Sequence, residues 1–255
     1  MNQVTYKRSL RKYNTEDIRD VIARAILGVL VGFLFIGAYS LGYTLGGKVE
    51  IQEKLSKVTL PQVIEKPAWN LQLVNAEHTI PDNYSEDIEL VLLRNGQAVD
   101  RRIYDELQEM MDDARAEGLS PLICSSYRSH DTQIGLFNKE ISQYMAQGYS
   151  KEEATEIASH WVAVPGTSEH ELGLAIDIVS IGNQILDKSQ EQTPEQKWLM
   201  ENCYKYGFIL RYPAEKSDIT GISYEPWHYR YVGKSAAKAI SEQKICLEEY
   251  LENLK

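Results

Sequence analysis

The chain has 255 residues, 43% of them hydrophobic and 25% charged, which suits one sizeable globular domain with accessories and excludes a low-complexity chain. Its formal net charge of −10 argues against nucleic acid or an anionic membrane surface as a partner, since both select basic patches. The three cysteines, Cys124, Cys203 and Cys246, show no CxxC spacing and no disulfide framework, and small buried thiols account for them.

In chain order, residues 25–47 form an uncharged run of 23 residues, enough to cross a hydrocarbon core of about 30 Å as a helix. Residues 1–24 carry six basic side chains against three acidic ones, and the remainder of the chain is acidic. The positive-inside bias therefore puts 1–24 in the cytoplasm, 25–47 across the bilayer and the acidic bulk outside. A cleaved signal peptide is the competing reading, because Ala38-Tyr39-Ser40 offers small residues at a cleavage spacing; both readings leave the domain outside the membrane. Residues 48–83, with Pro61, Pro67 and Pro81 among scattered apolar positions, read as an extracytoplasmic linker with room for a small strand within 71–74.

The folded domain is expected over 84–255. An apolar run at 88–93 leads into Asn95-Gly96, a hairpin signal. Ile103, Leu107, Met110, Met111 and Ala114 recur at helical spacing, and Gly118 stands where a C-terminal cap belongs. Residues 121–126 read as a buried strand that delivers Tyr127 and Arg128 to the start of a helix over 131–145. Ser150 and Glu153 form a capping-box pattern at the head of a short helix over 151–160. A turn at 164–167, a strand at 174–180, a helix at 194–206, strands at 207–211 and 227–232 and a final helix over 234–254 complete the pattern. It is α+β, with a small antiparallel or mixed sheet flanked by helices.

Two short motifs carry the chemistry: 168–177, which reads SEHELGLAID, and 225–228, which reads EPWH. Together they offer two imidazoles, one carboxylate of ligand type and one spare carboxylate. A catalytic zinc ion needs three N/O protein ligands with an open fourth position, and a nearby carboxylate that is not a ligand can accept a proton from water. Asp177 lies in an apolar strand, sharing a face with Ala175 and Val179, and a carboxylate there is costly unless paired or bound to a cation. Gly173 and Ala175 are expected to leave space beside it. Leu174 breaks any HExxH helix motif, so the spacing fits a loop entering a strand. Pro226 removes a ladder donor and sets Glu225 just ahead of its strand, free to turn toward a metal. His78, His130 and His160 have no such setting and read as surface or capping residues, and Trp227 reads first as a core aromatic.

These residues resemble a known family. The pattern SxHxxGxAxD at Ser168 to Asp177, ExWH at Glu225 to His228, and Tyr127-Arg128-Ser129 followed by Gln133 is similar to the zinc D-alanyl-D-alanine carboxypeptidases of the VanY type, relatives of the VanX dipeptidases and of the hedgehog fold. The stretch 206–213, YGFILRYP, resembles the same branch. The resemblance implies that His170, Asp177 and His228 bind Zn2+, that Glu225 is the catalytic acid/base, and that Arg128 polarises the scissile carbonyl. It further implies that Ser168 and Gln133 contact the terminal part of the peptide, and that the partners are peptidoglycan stem peptides ending in D-Ala; the lipid bilayer, engaged through the helix over 25–47, is a partner on the hydropathy reading alone.

Overall fold

A computed structural model describes residues 68–81, Tyr84 and residues 88–255. The expected cytoplasmic segment 1–24, membrane span 25–47 and linker residues 48–67 lie outside the described residues. Among those described, no helix is long and apolar enough to cross a membrane.

The Asn95-Gly96 signal produces a hairpin of β1 (Leu90–Leu92) and β2 (Ala98–Asp100), paired Leu90 to Asp100 and Leu92 to Ala98, with Gly96 at φ +84°. Leu90 and Leu92 are exposed, so the hairpin contributes to the core through Leu93 and Val99. Asp100 then caps a short 3-10 turn by accepting from the Arg102 amide, and α1 (Tyr104–Ala116) follows. The helical spacing read from the sequence is the buried stripe of α1: Leu107, Met110, Met111 and Ala114.

The second sheet holds the molecule together. It is wholly antiparallel and comprises β3 (Pro121–Ser125), β4 (Ala175–Ser180), β5 (Phe208–Leu210) and β6 (His228–Tyr231), in the spatial order β3, β4, β6, β5. Between β3 and β4 run α2 (His130–Ala146) and α3 (Lys151–Ser159), which close on each other through Phe137, Ile141, Ala154 and Ala158. The predicted capping box at Ser150 and Glu153 is formed at the start of α3. After β4 come α4 (Pro194–Asn202), with Thr193 capping and Pro194 in the first turn, and a 3-10 turn over Cys203–Tyr206, while a short α5 (Ser217–Thr220) lies between β5 and β6.

Because β4 lies between β3 and β6, all six of its residues are buried. Alternation along the strand sends Ile176 and Ile178 into the core with Leu107, Met110 and Leu199, and Asp177 to the opposite face. The register sets Asp177 opposite His228 on one side and opposite Ser125 on the other, with a register shift in β3 between Ile123 and Ser125.

Four expectations need correction. The folded part begins upstream of residue 84: Val74 is fully buried, and Trp69, Leu71 and Leu73 pack against the two main apolar clusters, covering apolar side chains that would otherwise face water. No strand forms at 71–74; residues 69–71 make a 3-10 turn, and Asn75 bridges back to His78. The final helix is two, α6 (Lys234–Gln243) and α7 (Leu247–Glu252), divided at Lys244, which takes the left-handed conformation at φ 55°. Gly173 does not serve as an open space beside Asp177. It is at φ +70°, and a Cβ there would lie 3.2 Å from the Asp100 amide nitrogen, so a backbone crossing occupies that side.

Candidate metal centre

The turn that carries His170 is a 3-10 segment, Glu169–Leu172, closed by the left-handed Gly173, whose amide donates to the His170 carbonyl. The same carbonyl accepts from the Arg128 amide at 3.1 Å, which ties the end of β3 to the turn. His170 Nδ1 lies 2.7 Å from the Ser126 carbonyl oxygen; a carbonyl only accepts, so Nδ1 carries the proton and Nε2 is left with its lone pair. That lone pair faces Asp177 Oδ2 at 3.3 Å. From the neighbouring strand, His228 Nδ1 approaches Asp177 Oδ1 to 3.1 Å. The two imidazoles stand perpendicular, their centroids 4.9 Å apart.

One ligand atom from each of His170, Asp177 and His228 falls within 4.8 Å of the others, and all three residues are buried. Asp177 Oδ1 has no hydrogen-bond partner although it is shut off from water. A buried, unpartnered carboxylate oxygen facing an imidazole nitrogen is an unfavourable arrangement for the protein alone and a favourable one around a divalent cation. The donor set, two nitrogens and one carboxylate, fits zinc.

Glu225 stands ahead of β6 as Pro226 suggested, with Oε2 3.6 Å from His228 Nδ1 and its amide bonded to the Tyr212 carbonyl. Burial, aided by the Asp177 and Glu169 charges and opposed by His228 and Arg128, pushes its carboxyl up to about 8. Burial alone would raise Asp177 as well, yet the two histidines hold it well below the usual carboxylate range. Arg128 reaches the same place from the end of β3. Its Nη2 donates to Asp177 Oδ2 at 3.0 Å and to Ser125 Oγ at 2.8 Å.

Arg128, Ser168, His170, Asp177, Glu225 and His228 all line one cleft of about 360 Å³, which extends past Trp161 and Leu186 and over α2 at Lys139 and Glu140. Trp227, read from sequence as core, is buried yet also walls this cleft. Gln133 is brought near but not into it. It has no exposed surface, its Nε2 donates to the Ala163 carbonyl at 2.7 Å, and its Oε1 accepts from Arg128 at 3.4 Å. His78, His130 and His160 are exposed; His130, the first residue of α2, pairs with Glu171 at 2.7 Å and so turns that carboxylate away from the cluster.

Two groups around the cluster went unread in the sequence. Tyr212 lays its ring 4.8 Å from the His228 ring. Glu169, fully buried, faces the far nitrogen of His228; its presence between Ser168 and His170, both candidates, was the available signal.

A His-Asp-His cluster opening on a cleft beside a second carboxylate, Glu225, defines the site of a metallohydrolase. A family model described as "VanY: D-alanyl-D-alanine carboxypeptidase" matches residues 96–234. A D-alanyl-D-alanine carboxypeptidase of Enterococcus faecalis (strain ATCC 700802 / V583) is 44% identical over 210 residues, covering 80% of this chain and 74% of its own. Two solved structures match at 47% identity. One is a VanY D,D-pentapeptidase mutant from a VanB-type vancomycin resistance cassette in complex with Zn(II), with TM-score 0.66 over 72% of this chain and 99% of that one. The other is VanYB in complex with D-alanine-D-alanine, with TM-score 0.68 over 74% and 100%. The chain belongs to the VanY family of D-alanyl-D-alanine carboxypeptidases and is a zinc metallo-carboxypeptidase.

Proposed function

We propose that the protein, anchored by residues 25–47 with residues 1–24 in the cytoplasm, uses an extracytoplasmic domain to remove the terminal D-alanine from peptidoglycan stem peptides. In this reading His170, Asp177 and His228 hold the zinc ion, and the observation that carries it is the convergence of their three ligand atoms within 4.8 Å around an unpartnered carboxylate oxygen. Zinc bound there supplies a Lewis acid that polarises a carbonyl and brings the pKa of water toward ~7.

The chain's own residues do the rest. Glu225, whose Oε2 looks into the cluster beside His228, takes a proton from the attacking water and returns it to the leaving amine as the C–N bond breaks. Arg128 directs a guanidinium into the cleft to stabilise the negative charge that develops on the carbonyl oxygen. Ser168, on the cleft wall, contacts the terminal part of the peptide, whereas Gln133 serves it indirectly by holding Arg128. Trimming pentapeptide stems in this way would reduce the D-Ala-D-Ala ends available to glycopeptide antibiotics.

The test is mass spectrometry of defined penta- and tetrapeptide stems incubated with the full-length chain, with and without a chelator. Loss of one D-alanine from the pentapeptide, abolished by the chelator, is the expected result. Release from the tetrapeptide alone would make the enzyme an L,D-carboxypeptidase, and zinc binding without hydrolysis of either stem would make it a non-catalytic peptidoglycan-binding module. Alkali-resistant retention of the chain in the membrane fraction is expected for the uncleaved anchor.

A further inference from the structure

His228 has a second ring nitrogen that the metal centre does not use. Its Nε2 faces Glu169 Oε2 at 3.5 Å, and both atoms are buried without a hydrogen-bond partner. The other oxygen of Glu169 is held firmly: Oε1 accepts from Arg211 Nε at 2.7 Å and from Arg230 Nη1 at 2.8 Å, and both arginines are fully buried. Arg211 passes its remaining N–H groups to Glu248 at 2.9 and 2.7 Å. Arg230 gives its own to the carbonyls of Asn70, Gln72 and Tyr231. Two carboxylates thus balance two guanidiniums in the interior, and the pairing uses only one oxygen of Glu169.

We propose that Glu169 is a positioning residue for His228: its Oε2 accepts the proton of His228 Nε2, which turns the Nδ1 lone pair toward Asp177 and the metal. The arrangement mirrors His170, where the Ser126 carbonyl fixes the proton on Nδ1 and leaves Nε2 to the cluster. The two imidazoles therefore present opposite ring nitrogens, each selected by the acceptor behind it. The inference rests on the reading of His228 as a ligand.

The experiment measures zinc affinity of the full-length chain in detergent by competition with a chromophoric chelator, with thermal unfolding of the metal-free protein alongside. In Glu169→Gln an amide replaces the acceptor opposite Nε2, and zinc binding is expected to weaken about 10- to 100-fold. Glu169→Asp keeps the charge balance with the two arginines but draws the oxygens back, and its affinity is expected to fall in the same direction; it decides the matter if Glu169→Gln does not fold. Glu248→Gln removes a partner of Arg211 that never touches His228, so it should lower the unfolding temperature and leave zinc affinity at the wild-type level. Wild-type affinity in both Glu169 variants, or an equal loss in Glu248→Gln, would overturn the proposal. A wild-type chain that binds no zinc would instead overturn the ligand reading beneath it.

Discussion

At the scale of single residues, Glu225 and Arg128 are the side chains that, in the proposed mechanism, separate an enzyme from a bare zinc site. Glu225→Ala removes the proposed proton carrier and leaves the three ligand candidates untouched, so zinc content by metal analysis should stay at the wild-type level. Its turnover on a pentapeptide stem should fall on the order of 100- to 10,000-fold. A variant that kept full turnover would remove Glu225 from the mechanism. Arg128→Ala should cost about 100- to 1,000-fold in kcat at saturating peptide, because the lost interaction grows as charge develops on the carbonyl oxygen. A loss confined to KM would assign Arg128 to ground-state binding instead. The clustered candidates were legible because the sequence concentrates them in two motifs whose strands pair side by side, Asp177 against His228. Glu169 was legible only through its place between Ser168 and His170: its arginine partners lie 42 and 61 residues away, and no local pattern announces that its neutralising charges arrive from other elements.

At the scale of elements, the turn from Glu169 to Gly173 determines where His170 stands. Gly173→Ala forces a side chain into the left-handed region and brings its Cβ within 3.2 Å of the Asp100 backbone at the end of β2. The expected cost is about 1–3 kcal/mol, read as a lower denaturant midpoint at unchanged m-value. Because the strain falls between His170 and β4, zinc affinity should fall with it; a variant as stable as the wild type would show that the turn relaxes freely. Local signals served well for such elements: the Asn-Gly hairpin, the stripe of α1 and the capping box of α3 all formed where periodicity and turn chemistry put them. They failed at Lys244, since no glycine or proline marks the break between α6 and α7 and a lysine there takes the left-handed cap. They failed too at 68–75, where proline spacing suggested a linker and tertiary contact decided the outcome, the Asn70 and Gln72 carbonyls being recruited by buried Arg230.

At the scale of the whole molecule, the same buried charges link the N-terminal segment, the sheet and the C-terminal helix. Asn70 and Gln72 meet Arg230 on β6, Arg230 and Arg211 meet Glu169, and Arg211 and Asn75 both meet Glu248 at the start of α7. Such a network makes stability depend on pH with a definite sign. Burial alone would raise the Glu248 carboxyl, but the Arg211 guanidinium beside it holds it below the ordinary value. A group whose folded pKa is depressed binds fewer protons when folded than when unfolded in the window between the two values, so its contribution is complete above the unfolded value of about 4.3 and is lost as pH falls through the folded one. The Glu248 contribution to the urea midpoint, read as wild type minus Glu248→Gln, should accordingly hold steady from neutral pH to about pH 5 and then decline. Glu248→Gln, which cannot ionise, should start lower at neutral pH and decline less steeply, the two curves converging in acid. Parallel curves would mean that Glu248 and Arg211 attract each other no more in the folded chain than in the unfolded one, and that the interior charges are held by packing alone.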